Sequence, residues 1–294
     1  MIAWPTKTSA VIVQGMTGKE GSRMTRWMLA SGTCVCAGVT PGKGGTLHEN
    51  IPVFESVAEA RAAFPDASVS SIVVPPLRVL SAVQDALSAG ITFIHILTEQ
   101  VPVHDALVMC EVAKQHGATI LGPASVGLVS MPGFQLGYLG GQDVFQNMQE
   151  GSLALLSTSG GMANEIMMAC ARNGIGLRLA AALGGSALSG LTMLEAVKDC
   201  ERREDIEQLV LFLEPGQPIL SALLNKQIAF QKPTTVFLAG KALDVLPKGV
   251  SYGHTGTLLS EGQRTVAETY AGLQALGITC VETIDELVSS LKTL

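Results

Sequence analysis

Charged and aromatic residues are scarce in this 294-residue chain, at 15% and 4%, whereas hydrophobic residues make up 47%. So apolar a composition favours an oligomer or a permanent partner, because part of the apolar surface must be covered. The net charge of −6 gives no basis for nucleic-acid binding. No apolar run reaches the length of a membrane span, and the first residues lack the basic-then-apolar order of a signal peptide. We therefore expect a cytoplasmic location and no membrane partner.

Metal-ligand spacing is also missing. The six cysteines are scattered, and only Cys34 and Cys36 lie close together, in a predicted strand. No pair has the spacing of zinc ligands, so reduced core cysteines and no metal site are expected. The dinucleotide pattern G-x-G-x-x-G is absent from the first glycine-rich turn, which disfavours an NAD-binding protein.

What the chain does contain is a regular alternation of short apolar runs and helical stretches. The first series has predicted strands at 10–13, 35–39, 69–74, 92–97 and 118–121. The second has predicted strands at 153–156, 177–182, 207–212, 234–239 and 278–281. Such alternation predicts an α/β protein with parallel sheets and ligands at the carboxyl ends of the strands. Because periodicity is lost between the series, we expect domains at 1–125 and 151–294, with a connecting loop region at 126–150.

Three glycine-rich turns follow predicted strands. Residues 14–21 read QGMTGKEG and open a helix, an arrangement that presents free N–H groups to a phosphate. Lys43 lies among three glycines in the turn after the next strand, where its ammonium can reach an anion. Residues 157–161 read STSGG and form a second anion-receptive helix start. Taken alone, the first of these turns could equally be a tight packing turn between strand and helix.

His254 stands out among the five histidines, because it alone lies on a glycine-rich loop, YGHTG at 252–256. An exposed imidazole can carry a proton, a metal or a phosphoryl group, although a plain surface turn is the alternative. His95 is expected in a strand core and His48, His104 and His116 at solvated positions. Glu214 falls just past a strand of the same predicted sheet as the strands before His254 and Ser159, so the three could converge at one edge.

Six motifs then occur in one order: QGMTGKEG, AGVTPGKGGT, LTEQVP, GPASVG, STSGGMANE and YGHTG. Together they resemble the α subunit of succinyl-CoA synthetase and its relatives, from residue 10 to the C-terminus. The resemblance implies a Rossmann-like CoA-binding domain followed by a flavodoxin-like ligase domain. It further implies that coenzyme A is held by residues of three loops, namely Gly15, Thr17, Gly18, Lys19, Glu20, Lys43, Leu97, Thr98 and Glu99.

For the second domain, the resemblance implies that His254 is phosphorylated by a nucleotide and passes the phosphoryl group to a carboxylic acid. Glu214 would orient the imidazole. The phosphoryl group and the acid would be bound by four residues, namely Ser159, Gly160, Gly161 and Asn164. ATP or GTP with Mg²⁺ would be held by a separate ATP-grasp β subunit, which this chain does not contain.

Several positions depart from the family pattern. GPASVG and SGGMANE resemble ATP-citrate lyase and citryl-CoA synthetase more than succinyl-CoA synthetase. Yet Thr158 stands where both groups have arginine, Ser186 where they have aspartate, and Tyr138 and Leu139 where the citrate group has asparagine and threonine. Three hypotheses remain open: an acid–thiol ligase α-type subunit, a citryl-CoA synthetase-like small subunit, and a CoA-binding subunit that has lost turnover. Losing an arginine weakens recognition of a tricarboxylate in particular.

Overall fold

The apolar runs of the sequence form the strands of two sheets, one in each half of the chain. The computed structural model describes residues 1–185, 188–245 and 264–292. Within these residues the first sheet has the strand order β3-β4-β2-β1-β5-β6-β7 and the second β14-β13-β12-β10-β11-β8-β9. The α/β architecture predicted from the alternation is confirmed.

The first sheet is parallel apart from one hairpin, β3–β4. Its strands are β1 (Ala10–Gln14), β2 (Cys34–Val39), β3 (Leu47–His48), β4 (Ile51–Phe54), β5 (Ala67–Ile72), β6 (Phe93–Ile96) and β7 (Thr119–Leu121). Its helices are α1 (Lys19–Ala30), α2 (Val57–Ala63), α3 (Val79–Ser88) and α4 (Val103–Gln115), with a 3₁₀ turn at Pro76–Arg78. β1 and β6 are buried along nearly their whole length, as strands covered by helices on both faces are.

The second sheet combines a parallel part, β10 to β14, with an antiparallel hairpin at its other edge. Its strands are β8 (Gly127–Ser130), β9 (Phe134–Gly137), β10 (Glu150–Ser157), β11 (Leu177–Ala182), β12 (Gln208–Leu213), β13 (Thr234–Leu238) and β14 (Thr279–Val281). Its helices are α5 (Gly141–Asn147), α6 (Gly160–Arg172), α7 (Met193–Arg202), α8 (Pro218–Leu224), α9 (Val266–Ala275) and α10 (Ile284–Lys292), with a 3₁₀ turn at Lys241–Asp244.

The range 126–150 differs from the expected connecting loop region. It contains β8, β9 and α5, and β8 pairs antiparallel with β11, so this range extends the second sheet. Both sheets are therefore mostly parallel and not wholly parallel as expected. The strands β8 and β9 have four residues each, which is too short for a period-two alternation to be recognised in the sequence. Each also has a glycine at one end, which resembles a loop in the sequence.

Cysteine burial also differs in part from the expectation. Cys170 and Cys200 are buried, but Cys34 is exposed and Cys36, Cys110 and Cys280 are intermediate. Cys34 is the first residue of β2, where the strand leaves the cover of the helices. All six thiols are free.

Helix α1 packs between the two sheets. Its Met24 and Met28 are fully buried and belong to the same apolar cluster as Phe134 and Leu136 of β9. At its C-terminal end, Thr33 Oγ1 donates to the carbonyl oxygen of Gln135 at 2.7 Å. One continuous core thus joins the two halves of the molecule.

His95 lies in β6 and is fully buried, as expected for a core histidine. Its Nε2 lies 2.9 Å from the carbonyl oxygen of Ser125, which can only accept, so this nitrogen carries the proton. Nδ1 then accepts from the Ser71 hydroxyl at 2.8 Å. Burial lowers the pKa of His95 to about 4, against a smaller opposing effect of the Ser125 carbonyl.

This burial predicts a loss of stability in acid. Because the folded pKa lies below the unfolded value, the contribution of His95 is complete above about pH 6.5 and is lost as the pH falls towards 4. At pH 5 the loss should reach about 2 kcal/mol. Urea unfolding of wild type and His95→Gln at pH 8 and pH 5 should show a smaller pH dependence in the variant. His116→Gln, which changes an exposed histidine, should behave as wild type. Equal pH dependence in wild type and His95→Gln would contradict the assignment.

Candidate active site

The turn between β1 and α1 packs its backbone closely against the residue that follows β5. Gly15 has φ +84°, and a Cβ there would lie 2.3 Å from the carbonyl oxygen of Val73. Gly18 is the N-cap of α1 and supplies no side-chain acceptor for the N–H groups of the first turn. Thr17, Lys19 and Glu20 surround these N–H groups, which carry the positive end of the helix dipole. An anion is the natural partner of this turn.

The loop that carries Lys43 is held by a carboxylate that sequence reasoning missed. Glu55 accepts from the backbone N–H of Gly42 at 2.7 Å and of Gly44 at 2.6 Å, one bond on each side of Lys43. These two bonds lower the pKa of the Glu55 carboxyl group. The loop is joined to the first turn through Thr17 Oγ1 and Thr40 Oγ1, which lie 3.3 Å apart. Lys43 is exposed, and its ammonium has no hydrogen-bond partner among the residues that the structure describes.

The third predicted loop follows β6. Thr98 Oγ1 donates to the carbonyl oxygen of Val74 at 2.8 Å, and Leu97 N donates to that of Ile72, which ties the segment to the end of β5. Glu99 is exposed at the rim. Since β2, β1, β5 and β6 are neighbours in the sheet, the structure brings all three predicted loops to one carboxyl edge.

Glu20 is already engaged within the protein. Its Oε2 pairs with Arg23 at 2.8 Å and lies 3.1 Å from the hydroxyl of Tyr138, a residue of the second half of the chain. Nothing in the sequence indicated this partner. The expected contact of Glu20 with CoA remains a prediction.

A second strand–turn–helix site lies at the carboxyl end of β10. Ser159 is the N-cap of α6, and its side chain accepts from Met162 N. A Cβ added at Gly161 would meet no atom of the described residues within 4 Å, whereas one at Gly160 would lie 2.6 Å from Val126 Cγ2. Thr158 is 6% exposed, and its hydroxyl is a buried group without a hydrogen-bond partner in the described part of the chain. Glu214 follows the adjacent strand β12 and is half-buried, so it lies at the same edge as Ser159 and Gly160.

Asn164, predicted to bind phosphate or substrate, has a structural partner. Its Oδ1 accepts from the backbone N–H of Gly140 at 2.7 Å. The side chain therefore fixes the segment between β9 and α5 beside the start of α6. His254 and Ser186 lie outside the described residues, so their predicted places stay predictions.

The described residues hold no cluster of three or more histidine, cysteine, aspartate or glutamate side chains arranged for a metal ion. None of the helices in the described ranges combines the length and the apolar character that crossing a membrane requires.

Two mostly parallel sheets, each with a glycine-rich turn between a strand and a helix at its carboxyl edge, define an α/β protein with two such turns. Two family models match the chain: a CoA binding domain over residues 6–100 and a succinyl-CoA ligase like flavodoxin domain over residues 150–294. The chain belongs to the family of α subunits of ADP-forming CoA ligases.

Relatives of this family align over almost the whole chain. The α subunit 2 of ADP-forming succinate–CoA ligase from Archaeoglobus fulgidus is 33% identical and covers 96% of each chain. The ADP-forming sulfoacetate-CoA ligase subunit SauD of Bilophila wadsworthia is 30% identical, covering 98% of this chain and 97% of its own. ATP citrate lyase of Methanosaeta concilii superposes with a TM-score of 0.85 at 23% identity, over 97% of this chain and 49% of that one. The chain thus spans about half the length of that solved protein, and at this identity the likeness shows the fold.

The position of Glu55 predicts an effect on CoA binding without any direct contact. Glu55→Gln removes the charge that holds both amides of the Lys43 loop. CoA binding must then order this loop at a cost in binding free energy, so the affinity for CoA should drop roughly three- to ten-fold. Lys43→Ala, which deletes the proposed contact itself, should cost roughly 1.5–3 kcal/mol. Calorimetry on the full chain measures both.

Glu111→Gln on α4 is the matched control, because its carboxylate bonds only to Gln115 on the same helix in the described structure. It should bind CoA as wild type does. CoA affinity in Glu55→Gln equal to that of the control would show that the carboxylate does not organise the site.

Proposed function

We propose that this chain is the α-type subunit of a nucleotide-dependent acid–thiol ligase that joins a small carboxylic acid to CoA. The reaction would run through a phosphohistidine at His254 and an acyl phosphate, with a β-type ATP-grasp subunit holding ATP or GTP and Mg²⁺. The observation that carries the proposal is the pair of anion-receptive helix starts, one in each sheet, in a chain of this family. A phosphoryl group and a phosphate-bearing thiol need such sites at the same time.

The residues of the first sheet fit CoA. Gly15 lets the turn pack against the Val73 carbonyl, and Gly18 gives the first turn of α1 no side-chain cap. Lys43 is exposed on a loop whose flanking backbone amides bond to Glu55. In the proposed role, Gly15, Thr17, Gly18, Lys19 and Lys43 bind the CoA phosphates and Glu20 contacts a neighbouring group of CoA. The loop of Leu97, Thr98 and Glu99 lines the path of the rest. Bound CoA supplies the thiol of the product thioester. We propose 1–125 as the domain for this task.

The second domain, proposed as 151–294, would provide the phosphoryl transfer. The start of α6 at Ser159, Gly160 and Gly161 would receive phosphoryl oxygens, whose charge the helix dipole stabilises. Glu214 would bond one ring nitrogen of His254, fix the tautomer and leave the other lone pair free for attack. The histidine takes the phosphoryl group from the nucleotide and passes it to the carboxylate, and the thiol then displaces phosphate. Splitting the condensation in this way replaces one difficult step by accessible ones.

A cytoplasmic location is proposed with this role. The six free thiols suit a reducing compartment, because paired cysteines are typical of oxidising ones. The β-type subunit would also cover apolar surface such as Leu77 and Val103, which are 79% and 63% exposed.

Three positions of the proposed acid site carry side chains that differ from those of the citrate enzymes. Thr158 replaces the arginine of related enzymes, and its short hydroxyl cannot form the bidentate pair that arginine makes with a carboxylate. Tyr138 is turned onto α1, and Leu139 is fully buried in the apolar core. The acids named for the relatives, succinate and sulfoacetate, are small dianions, and we propose the same size class here.

This pocket predicts poor use of citrate. In the complex with the β-type subunit, the KM for citrate should exceed that for succinate or sulfoacetate by about tenfold or more, because the groups that would pair with its extra carboxylates are missing. Initial rates of acyl-CoA formation with each acid measure the ratio. Micromolar citrate affinity in the assembled complex would overturn the substrate class.

Phosphorylation of His254 is the test of the whole proposal. The complex incubated with γ-labelled nucleotide should acquire label that is acid-labile and base-stable, and His254→Ala should abolish it. The chain without its partner should stay unlabelled, since it lacks the nucleotide site. His104→Ala serves as the control, because that side chain is 84% exposed on α4. Label that persists undiminished in His254→Ala would refute the mechanism.

A further inference from the structure

A single loop connects the two helix starts on which the proposed function rests. We define the bridge loop as residues 137–141, from the last residue of β9 to the first residue of α5. It touches the first turn of α1 on one side and the first turns of α6 on the other. Each contact is a short hydrogen bond or a close packing contact.

On the α1 side, Tyr138 carries the contact. Its hydroxyl donates to the carbonyl oxygen of Glu20 at 2.8 Å, and it accepts from Arg23 Nε at 3.2 Å. The Arg23 guanidinium also lies 4.9 Å from the centre of the Tyr138 ring, and Trp27 meets the same ring edge-on at 5.1 Å. Tyr138 thus contacts the first turn of α1 directly, and this is the turn proposed to hold the CoA phosphates.

On the α6 side, the backbone carries the contact. The N–H groups of Tyr138 and Leu139 both donate to the carbonyl oxygen of Val126, at 2.7 and 3.0 Å. A Cβ at Gly160 would lie 2.6 Å from Val126 Cγ2, so Val126 packs directly on the first residue of α6. The N–H of Gly140 donates to Asn164 Oδ1 at 2.7 Å, as described above.

The C-terminal end of α1 is anchored elsewhere, so a shift at its first turn would be transmitted to the bridge loop. The C-terminal end of the helix is tied to Gln135 through Ser31 and Thr33. The Gln135 amide in turn donates to the carbonyl oxygen of Leu139 at 2.6 Å. A phosphate at the first turn repels the Glu20 carboxylate, which drives that group towards Arg23 and the Tyr138 hydroxyl. The bridge loop, and with it the start of α6, is then held more firmly.

We propose that Tyr138 is a positioning residue that couples the CoA site to the phosphoryl and acid site, so that each ligand raises the affinity for the other. The proposal rests on the proposed function for the identity of the two ligands. A coupling of this kind is a free energy shared between the sites, and by linkage it acts equally in both directions. It would favour binding of the acid where the thiol is already in place.

Tyr138→Phe tests the coupling, because it removes only the hydroxyl and keeps the ring between Arg23 and Trp27. Hydrogen-exchange mass spectrometry on the full chain, with and without CoA, should show CoA-induced protection of residues 15–21, 137–141 and 158–164 in wild type. In Tyr138→Phe, protection should remain at 15–21 and disappear at 158–164. Tyr270→Phe is the matched control, because that hydroxyl also donates to a backbone carbonyl, of Cys280 at 2.7 Å, away from both sites.

A binding measurement gives the second readout. Inorganic phosphate is titrated into the complex with and without saturating CoA, and CoA should raise its affinity by about five-fold or more in wild type but not in Tyr138→Phe. A purely structural role of Tyr138 would lower both phosphate affinities and leave their ratio unchanged, and that result overturns the proposal. Equal protection at 158–164 in wild type and Tyr138→Phe overturns it too, as does an absence of CoA protection at 15–21. Failure to form acyl-CoA while the coupling persists would refute only the proposed function.

Discussion

The backbone N–H groups at two helix starts are the feature on which the remaining structure depends. Parallel strands end at a common edge, so the helices that follow them present their N-termini along one rim. In this chain the N-cap of α1 is a glycine without a side-chain acceptor, and at α6 the Ser159 side chain accepts from Met162 N. A Cβ at Gly161 would meet no atom of the described residues within 4 Å. Glu55 bonds to the amides on either side of Lys43, and residues 137–141 contact both helix starts.

The parts of the site that could be predicted from the sequence are those that depend on local chain geometry. Gly15, Lys43, Thr98 and Ser159 lie at strand ends where the alternation placed them, because a glycine-rich turn between a strand and a helix has few alternative conformations. The hairpin of β8 and β9 escaped notice, since four-residue strands show too few periods. Its turn, Met131-Pro132-Gly133, is the one local signal that could have revealed it.

Roles that arise from contacts distant in sequence could not be predicted. Tyr138 and Glu20 are 118 positions apart, and nothing about either side chain indicates the other. Glu55 acts on backbone amides, so no complementary side chain marks its purpose. Asn164 was predicted to bind a ligand from its motif alone. In the structure its side-chain oxygen accepts a hydrogen bond from the backbone N–H of Gly140.

Under the proposed function, the altered positions of the acid site differ in how their side chains are packed and bonded. Leu139 is fully buried in one apolar cluster with Val129 and Met167, so the lost polar side chain is replaced by packing. The Tyr138 side chain bonds to Glu20 at the start of α1. The Thr158 hydroxyl stays buried without a partner among the described residues, at a cost that proteins normally avoid. Under the proposed function, an acid bound beside the start of α6 would give this hydroxyl a partner, which supports the proposal of a working ligase with a changed substrate.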